Sequence, residues 1–254
     1  MRIARFVLLL CAVLPACGKD AVQEDEITAP VTRAAQVKFF HFGVGGPGVN
    51  FYANERKMTA ISSATGAEST TGTVYGGVGA GGLYTVIEPG QYTFSAAIAA
   101  AVDKGLAIAT LPATLTADKR YSFYLSGAYN TATKTQEAFL VEDAMPPTDY
   151  AMACVRFVNA VFNASAMTLY ATNPTTSAET KIGDAVAYKA GGAFTCLAPG
   201  SYNLATRVTG STTNAVTRTG VAFASGRIYT IAARGNMTVT TGTNAPFLDN
   251  TPNR

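Results

Sequence analysis

AQVKFFHFGVGGPGVNFYAN, residues 35–54, lies without a gap over ACVRFVNAVFNASAMTLYAT, residues 153–172. Ala35, Val37, Phe39, Tyr52 and Ala53 recur as Ala153, Val155, Phe157, Tyr170 and Ala171, and Lys38 keeps its charge in Arg156. Working outward, GGLYTVIEPGQY (81–92) lies over GGAFTCLAPGSY (191–202), and LTADKRYSFYLSG (115–127) over FASGRIYTIAARG (223–235). Phe139-Leu140 then falls on Phe247-Leu248. The offset drops from 118 (153 − 35) to 110 (191 − 81) and then to 108 (223 − 115). The first copy thus carries about eight extra residues in one connection and about two in another, the larger excess near ISSATGAESTTGT (61–73), a loop by its Ser, Thr and Gly content. Length changes confined to loops mark two copies of one fold.

Within each copy the pattern has period two. Val37, Phe39 and His41 alternate with Gln36, Lys38 and Phe40; Val155, Phe157 and Asn159 alternate with Cys154, Arg156 and Val158. VNFYA and MTLYA read as the next strands, and Pro89-Gly90 and Pro199-Gly200 are turns that launch QYTFSAAI and SYNLATRV. YSFYL and YTIAA are later strands. AAIAAAVDKGLAIA (96–109) aligns with strand-turn-strand sequence in the second copy, which predicts a hairpin about Asp103-Lys104-Gly105 rather than a helix. Several short strands per copy predict an all-β protein of two tandem Ig-like or transthyretin-like antiparallel β-sandwich domains.

The repeated elements V-[K/R]-F-x-[H/N], x-x-Y-A and [E/A]-P-G-x-Y resemble those of a bacterial exported family, the domain of unknown function 4397. Its members often occur as tandem copies behind a signal peptide. The resemblance covers residues 35–254 and implies architecture and export, without an activity. The family usually has an acidic, Pro-rich loop after the first strand; here GVGGPG and VFNASA stand there, so no role of that loop carries over.

The front of the chain reads as a leader. Arg2 and Arg5 precede an apolar run from Phe6 to Leu14, far short of the ~20 residues that span a bilayer. Leu14-Pro15-Ala16 before Cys17 resembles the lipobox of bacterial lipoproteins, in which the cysteine thiol is diacylglycerated and the leader is cut off before it. The resemblance implies a lipidated Cys17 and, because Gly18 rather than Asp follows, delivery to the outer membrane; ordinary cleavage nearby would instead give a secreted protein. Two or three acyl chains, at ~0.8 kcal/mol per buried methylene, hold a protein stably to a membrane. The expected organisation is a signal peptide (1–16), lipidated cysteine and tether (17–34), repeat one (35–143), a short, stiff Pro-rich linker (144–151) and repeat two (152–254). With no sorting segment after Leu248, attachment is expected from Cys17 alone.

The formal charge is +3, and loss of Arg2 and Arg5 with the leader leaves +1, so nothing argues for a nucleic-acid partner. His41 is the single histidine; its counterpart Asn159 argues for a shared hydrogen-bonding role near a strand end. No HExxH, CxxC or G-x-S-x-G is present, so neither metal, cofactor nor enzymatic activity is expected. GVGGPG (43–48) and GVGAGG (77–82) match G-x-G-x-x-G, but each leads into a strand where a dinucleotide site needs a helix. They read as turn or bulge glycines. Of the four cysteines, Cys11 leaves with the leader and Cys154 and Cys196 remain. A disulfide between these two is open in an oxidising compartment. Parity weighs against it: Cys154 shares a face with Arg156, Cys196 with Phe194. Phe40, Phe42 and Phe162 are candidates either for exposed ligand contacts or, the favoured reading, for caps on the open end of a core. Asn163-Ala-Ser and Asn236-Met-Thr match a glycosylation sequon that means little in bacteria. The expected function is a non-catalytic envelope lipoprotein binding an envelope protein or serving a structural role; the alternative is a carbohydrate-binding accessory protein.

Overall fold

The computed structural model describes residues 33–59 and 70–253. The leader, Cys17, the tether up to Thr32 and most of the expected long loop lie outside the described residues.

Repeat one contains β1 (Ala35–His41), β2 (Val49–Ala53), β3 (Arg56–Lys57), β4 (Thr85–Ile87), β5 (Gly90–Ile98), β6 (Ala107–Leu115), β7 (Arg120–Asn130) and β8 (Thr135–Glu142). Repeat two contains β9 (Ala153–Asn159), β10 (Met167–Thr172), β11 (Glu179–Val186), β12 (Ala190–Gly191), β13 (Thr195–Leu197), β14 (Gly200–Val208), β15 (Asn214–Phe223), β16 (Ile228–Arg234) and β17 (Phe247–Pro252). All strands named above from sequence are present, and Asp103 and Gly105 turn the β5–β6 hairpin with positive φ.

Each repeat is a two-sheet sandwich. Repeat one stacks β4-β1-β7-β8 on β3-β2-β5-β6, and repeat two stacks β12-β9-β16-β17, with β13 also on β9, on β11-β10-β14-β15. The ladders are antiparallel except for β1–β7 and β9–β16, which are parallel. Chains that leave one sheet after their first strand and return beside it later make this pairing possible.

The cores form from alternate residues of each strand. Phe39, Phe51, Phe94 and Phe123 meet in repeat one, with ring centroids 5.3–6.0 Å apart. At the aligned places in repeat two stand Phe157, Leu169, Leu204 and Ile231. The Pro-Gly-x-Tyr element has a physical cause in both copies. The hydroxyl of Tyr92 donates to the carbonyl of Glu88 (2.9 Å) and that of Tyr202 to Ala198 (2.8 Å), which pins the turn to the strand it launches. A second matched pair accepts backbone protons: Thr116 N–H donates to Tyr121 and Ala224 N–H to Tyr229.

The other face of the strand that opens each repeat is buried too. A third apolar cluster contains Phe40, Phe42, Tyr124 and Phe139 from repeat one and Val158, Ala160 and Ala232 from repeat two. The sheets bearing β1 and β9 therefore face one another, giving four layers with a seam between the repeats. Both repeats belong to one compact unit that begins at Arg33. Approach is close enough that a Cβ on Gly191 of β12 would lie 2.6 Å from Val141 of β8.

Candidate functional site

The seam gathers the chemically distinctive side chains of the described residues. Period two puts Lys38 on the same face of β1 as Phe40, and Arg156 on the same face of β9 as Val158. Both cations are buried, each 2% exposed. A charge there is costly unless it is paired and hydrogen-bonded. Arg156 meets that condition. Its Nε donates to Thr230, its Nη1 to the carbonyl of Glu142 (3.0 Å), and its Nη2 to Asp143 Oδ1. Asp143 Oδ2 accepts from Ser122 (2.7 Å) and from the Tyr84 hydroxyl (2.6 Å). Lys38 donates to the carbonyl of Pro252 (2.6 Å), and its ammonium lies 4.4 Å from the centre of the Tyr84 ring. Burial lowers Lys38 to about 8, against the upward pull of Asp143. Burial and then Asp143 push the Tyr84 hydroxyl far up, so it remains a donor.

Further contacts cross the seam along its length. Ser126 donates to the carbonyl of Ala160 (2.9 Å), and Tyr188 to Glu137 (2.7 Å) beside Lys189. The Arg234 guanidinium is bound to Asp249 (2.6 Å) and lies against Tyr75 and Phe42 of repeat one and Phe247 of repeat two.

Cys154 and Cys196 form a disulfide, their Cα atoms 3.9 Å apart. They sit directly opposite on β9 and β13, where repeat one has Gln36 opposite Val86. Cys154 and Cys196 therefore point to the same side of their sheet, contrary to the expectation from parity. The Arg156 guanidinium lies 5.1 Å from the centre of the Phe194 ring, so the two faces that seemed different are one face. Alternation assigns faces within a strand, and the register between strands decides whether they coincide.

Phe40 and Phe42 neither cap a core nor meet solvent; they lie in the seam, where Phe40 and Phe139 each stack with Tyr124 and Phe42 tilts against Phe40 and Tyr124. Phe162 is half-buried in its loop. His41 is buried with Nε2 2.8 Å from the carbonyl of Pro47, and burial lowers its pKa. Asn159 donates to the carbonyl of Val186 and accepts from Val161 N–H, so both residues of this matched pair bond backbone. GVGGPG joins β1 to β2, and GVGAGG holds a short 3-10 turn (Gly79–Gly82) ahead of β4. The two sequon asparagines bond each other: Asn163 Nδ2 donates to Asn236 Oδ1 (2.8 Å). Among the described residues no group of three or more His, Cys, Asp or Glu is placed to hold a metal, and no helix is long and apolar enough to cross a membrane.

These features define a tandem β-sandwich protein in which two copies of one fold share a buried seam. The family follows directly. The model of the family described as Domain of unknown function (DUF4397) matches residues 35–170 and 153–253, and the chain belongs to that family. No curated protein matches it. Among solved structures it is similar to the TIE protein of Bacillus anthracis, at 12% identity over 80% of this chain and 34% of that one, TM-score 0.25. It is also similar to a leucine-rich repeat protein from Bacteroides thetaiotaomicron, at 10% identity over 80% of this chain and 26% of the other, TM-score 0.20. The chain thus spans about a third and about a quarter of their respective lengths.

Proposed function

We propose that this chain is a non-catalytic lipoprotein of the bacterial cell envelope, held by acyl chains on Cys17 and presenting its paired sandwiches as one rigid body for binding or structural work. The lipobox-like Leu14-Pro15-Ala16-Cys17 supplies the anchor, and the segment up to Thr32 supplies the tether. The observation that carries the reading is the Cys154–Cys196 bond, because disulfides form and persist in oxidising compartments and are rare in the cytosol. It supports export independently of the leader. The carbohydrate-accessory alternative called on exposed aromatics, and two of its three, Phe40 and Phe42, are buried.

Labelling with a radioactive fatty acid, followed by membrane fractionation, tests the anchor. Wild type is expected to carry label and sediment with membranes, and Cys17→Ser to lose the label and appear in the soluble fraction. An unlabelled wild type, or a Cys17→Ser protein still bound to membranes, would sink the proposal.

A further inference from the structure

On the flank of the seam a cleft of about 450 Å³ is lined by Lys38, Leu83 and Tyr84 from repeat one and by Arg227, Pro252 and Asn253 from repeat two. Its size falls within the range of small-molecule sites. Three observations give it a chemical character.

The first is a charge count. Lys38 and Arg156 are buried beside the one carboxylate of Asp143, so this cluster holds two cations and one anion. Asp143 already accepts from Arg156, Ser122 and Tyr84, and no carboxylate among the described residues lies within ion-pair distance of Lys38. The second is donor capacity. An ammonium carries three N–H groups, and Lys38 has a single hydrogen-bond acceptor among the described residues, the carbonyl of Pro252. Arg156 on the same seam uses all three of its nitrogens. The third is the rim. Arg227 is exposed and makes no ion pair among the described residues, and Leu83, 72% exposed, offers an apolar wall. Lys38, Arg227, Leu83 and Pro252 converge on this one opening.

We propose that this cleft binds a small organic carboxylate, with the carboxylate on Lys38, Arg227 closing over it, and a compact body against Leu83 and Pro252. Charge-assisted bonds to a carboxylate would take up the spare donors of Lys38 and balance the buried cluster. The depressed pKa of Lys38 fits a cation that lacks a partner of its own. The proposal stands apart from the lipoprotein reading, since it concerns the folded body whatever holds it to the cell.

Isothermal titration with benzoate and with glucuronate distinguishes an aromatic acid from an acidic sugar as the source of that carboxylate. Benzamide, glucose and chloride serve as controls. At least one carboxylate is expected to bind with a Kd of about 1 mM or below, while its neutral counterpart and chloride do not. Arg227→Ala, at an exposed position where folding is not at stake, is expected to weaken binding by about tenfold, and Arg227→Glu to abolish it, as expected for a lost charge-assisted bond. Lys38→Met is expected to abolish binding as well. Binding of benzoate alone, or of glucuronate alone, supports the proposal and names the class. Failure of both carboxylates to bind at about ten times that concentration overturns it. So does equal binding of the neutral analogues, displacement by chloride, or binding unchanged in Arg227→Glu.

Discussion

Repeat one and repeat two have the same strands, turns and tyrosine pins, yet they fill the seam between them in opposite ways. Across matched positions, Phe40 answers to Val158, Phe42 to Ala160 and Tyr124 to Ala232. One copy supplies large aromatic side chains and the other supplies small ones. Interiors pack at crystal-like density, so a face of large groups needs a face of small ones. Two identical faces of the first kind would clash, and two of the second would leave voids. The difference between the copies therefore specifies that one pairs with the other. The remaining differences follow the same division. At the four matched core positions repeat one has Phe39, Phe51, Phe94 and Phe123, while repeat two keeps only Phe157 and sets Leu169, Leu204 and Ile231 at the others; it also carries a disulfide between β9 and β13. The charged pair is divided too: Arg156 is fully bonded, whereas its counterpart Lys38 is left with donors to spare.

The largest expected effect comes from the polar part of the seam. Asp143→Ala leaves Arg156 and Lys38 buried with no counter-charge, and should cost about 3–5 kcal/mol in urea unfolding. A loss below about 1 kcal/mol is what a solvated surface pair gives, and would place the cluster outside the seam. Next is the apolar part. Phe40→Ala should cost about 3 kcal/mol or more through the cavity left among Phe42, Tyr124 and Phe139. Val158→Phe, which puts a large group where a small one belongs, should cost about 1–3 kcal/mol by overpacking. If Val158→Phe were neutral, the large-against-small account would be broken. An effect of the same order is expected from the bond that only repeat two has. Cys154→Ala with Cys196→Ala should lower stability by about 2–3 kcal/mol, since the bond closes a loop between residues 42 apart. The sandwich should still form, because repeat one is built in the same register with Gln36 opposite Val86.

Much of this was legible in the chain. Val37, Phe39, Val155 and Phe157 announced inward faces, the two Pro-Gly-x-Tyr elements announced turns, and the alignment announced a duplication. The seam was not legible, for a physical reason. Alternation separates the two faces of a strand but does not say what covers the second. Lys38 and Gln36, or Arg156 and Cys154, give that face a polar pattern that is equally compatible with solvent and with a polar seam. A signal against solvent was present: Phe40, Phe42 and Val158 lie on the polar face, a waste of apolar surface unless something packs there. The pairing of Cys154 with Cys196 stays open in the sequence because parity cannot be compared between strands before their register is known. The repeat itself held a clue, since the cysteines replace residues that face one another in the other copy. The cleft of Lys38 and Arg227 depends on segments 189 residues apart in sequence (227 − 38), which no local pattern brings together.

Two copies of one fold have become a single body through a seam buried on both sides. Scanning calorimetry of the mature chain tests it most directly, by comparing the van't Hoff enthalpy of unfolding with the calorimetric one. One transition is expected in which their ratio is about 1, with Phe40→Ala and Asp143→Ala lowering the stability of both repeats together. Two transitions, or a ratio near about 0.5 with each variant affecting one repeat alone, would show independent domains joined by a linker and would contradict it.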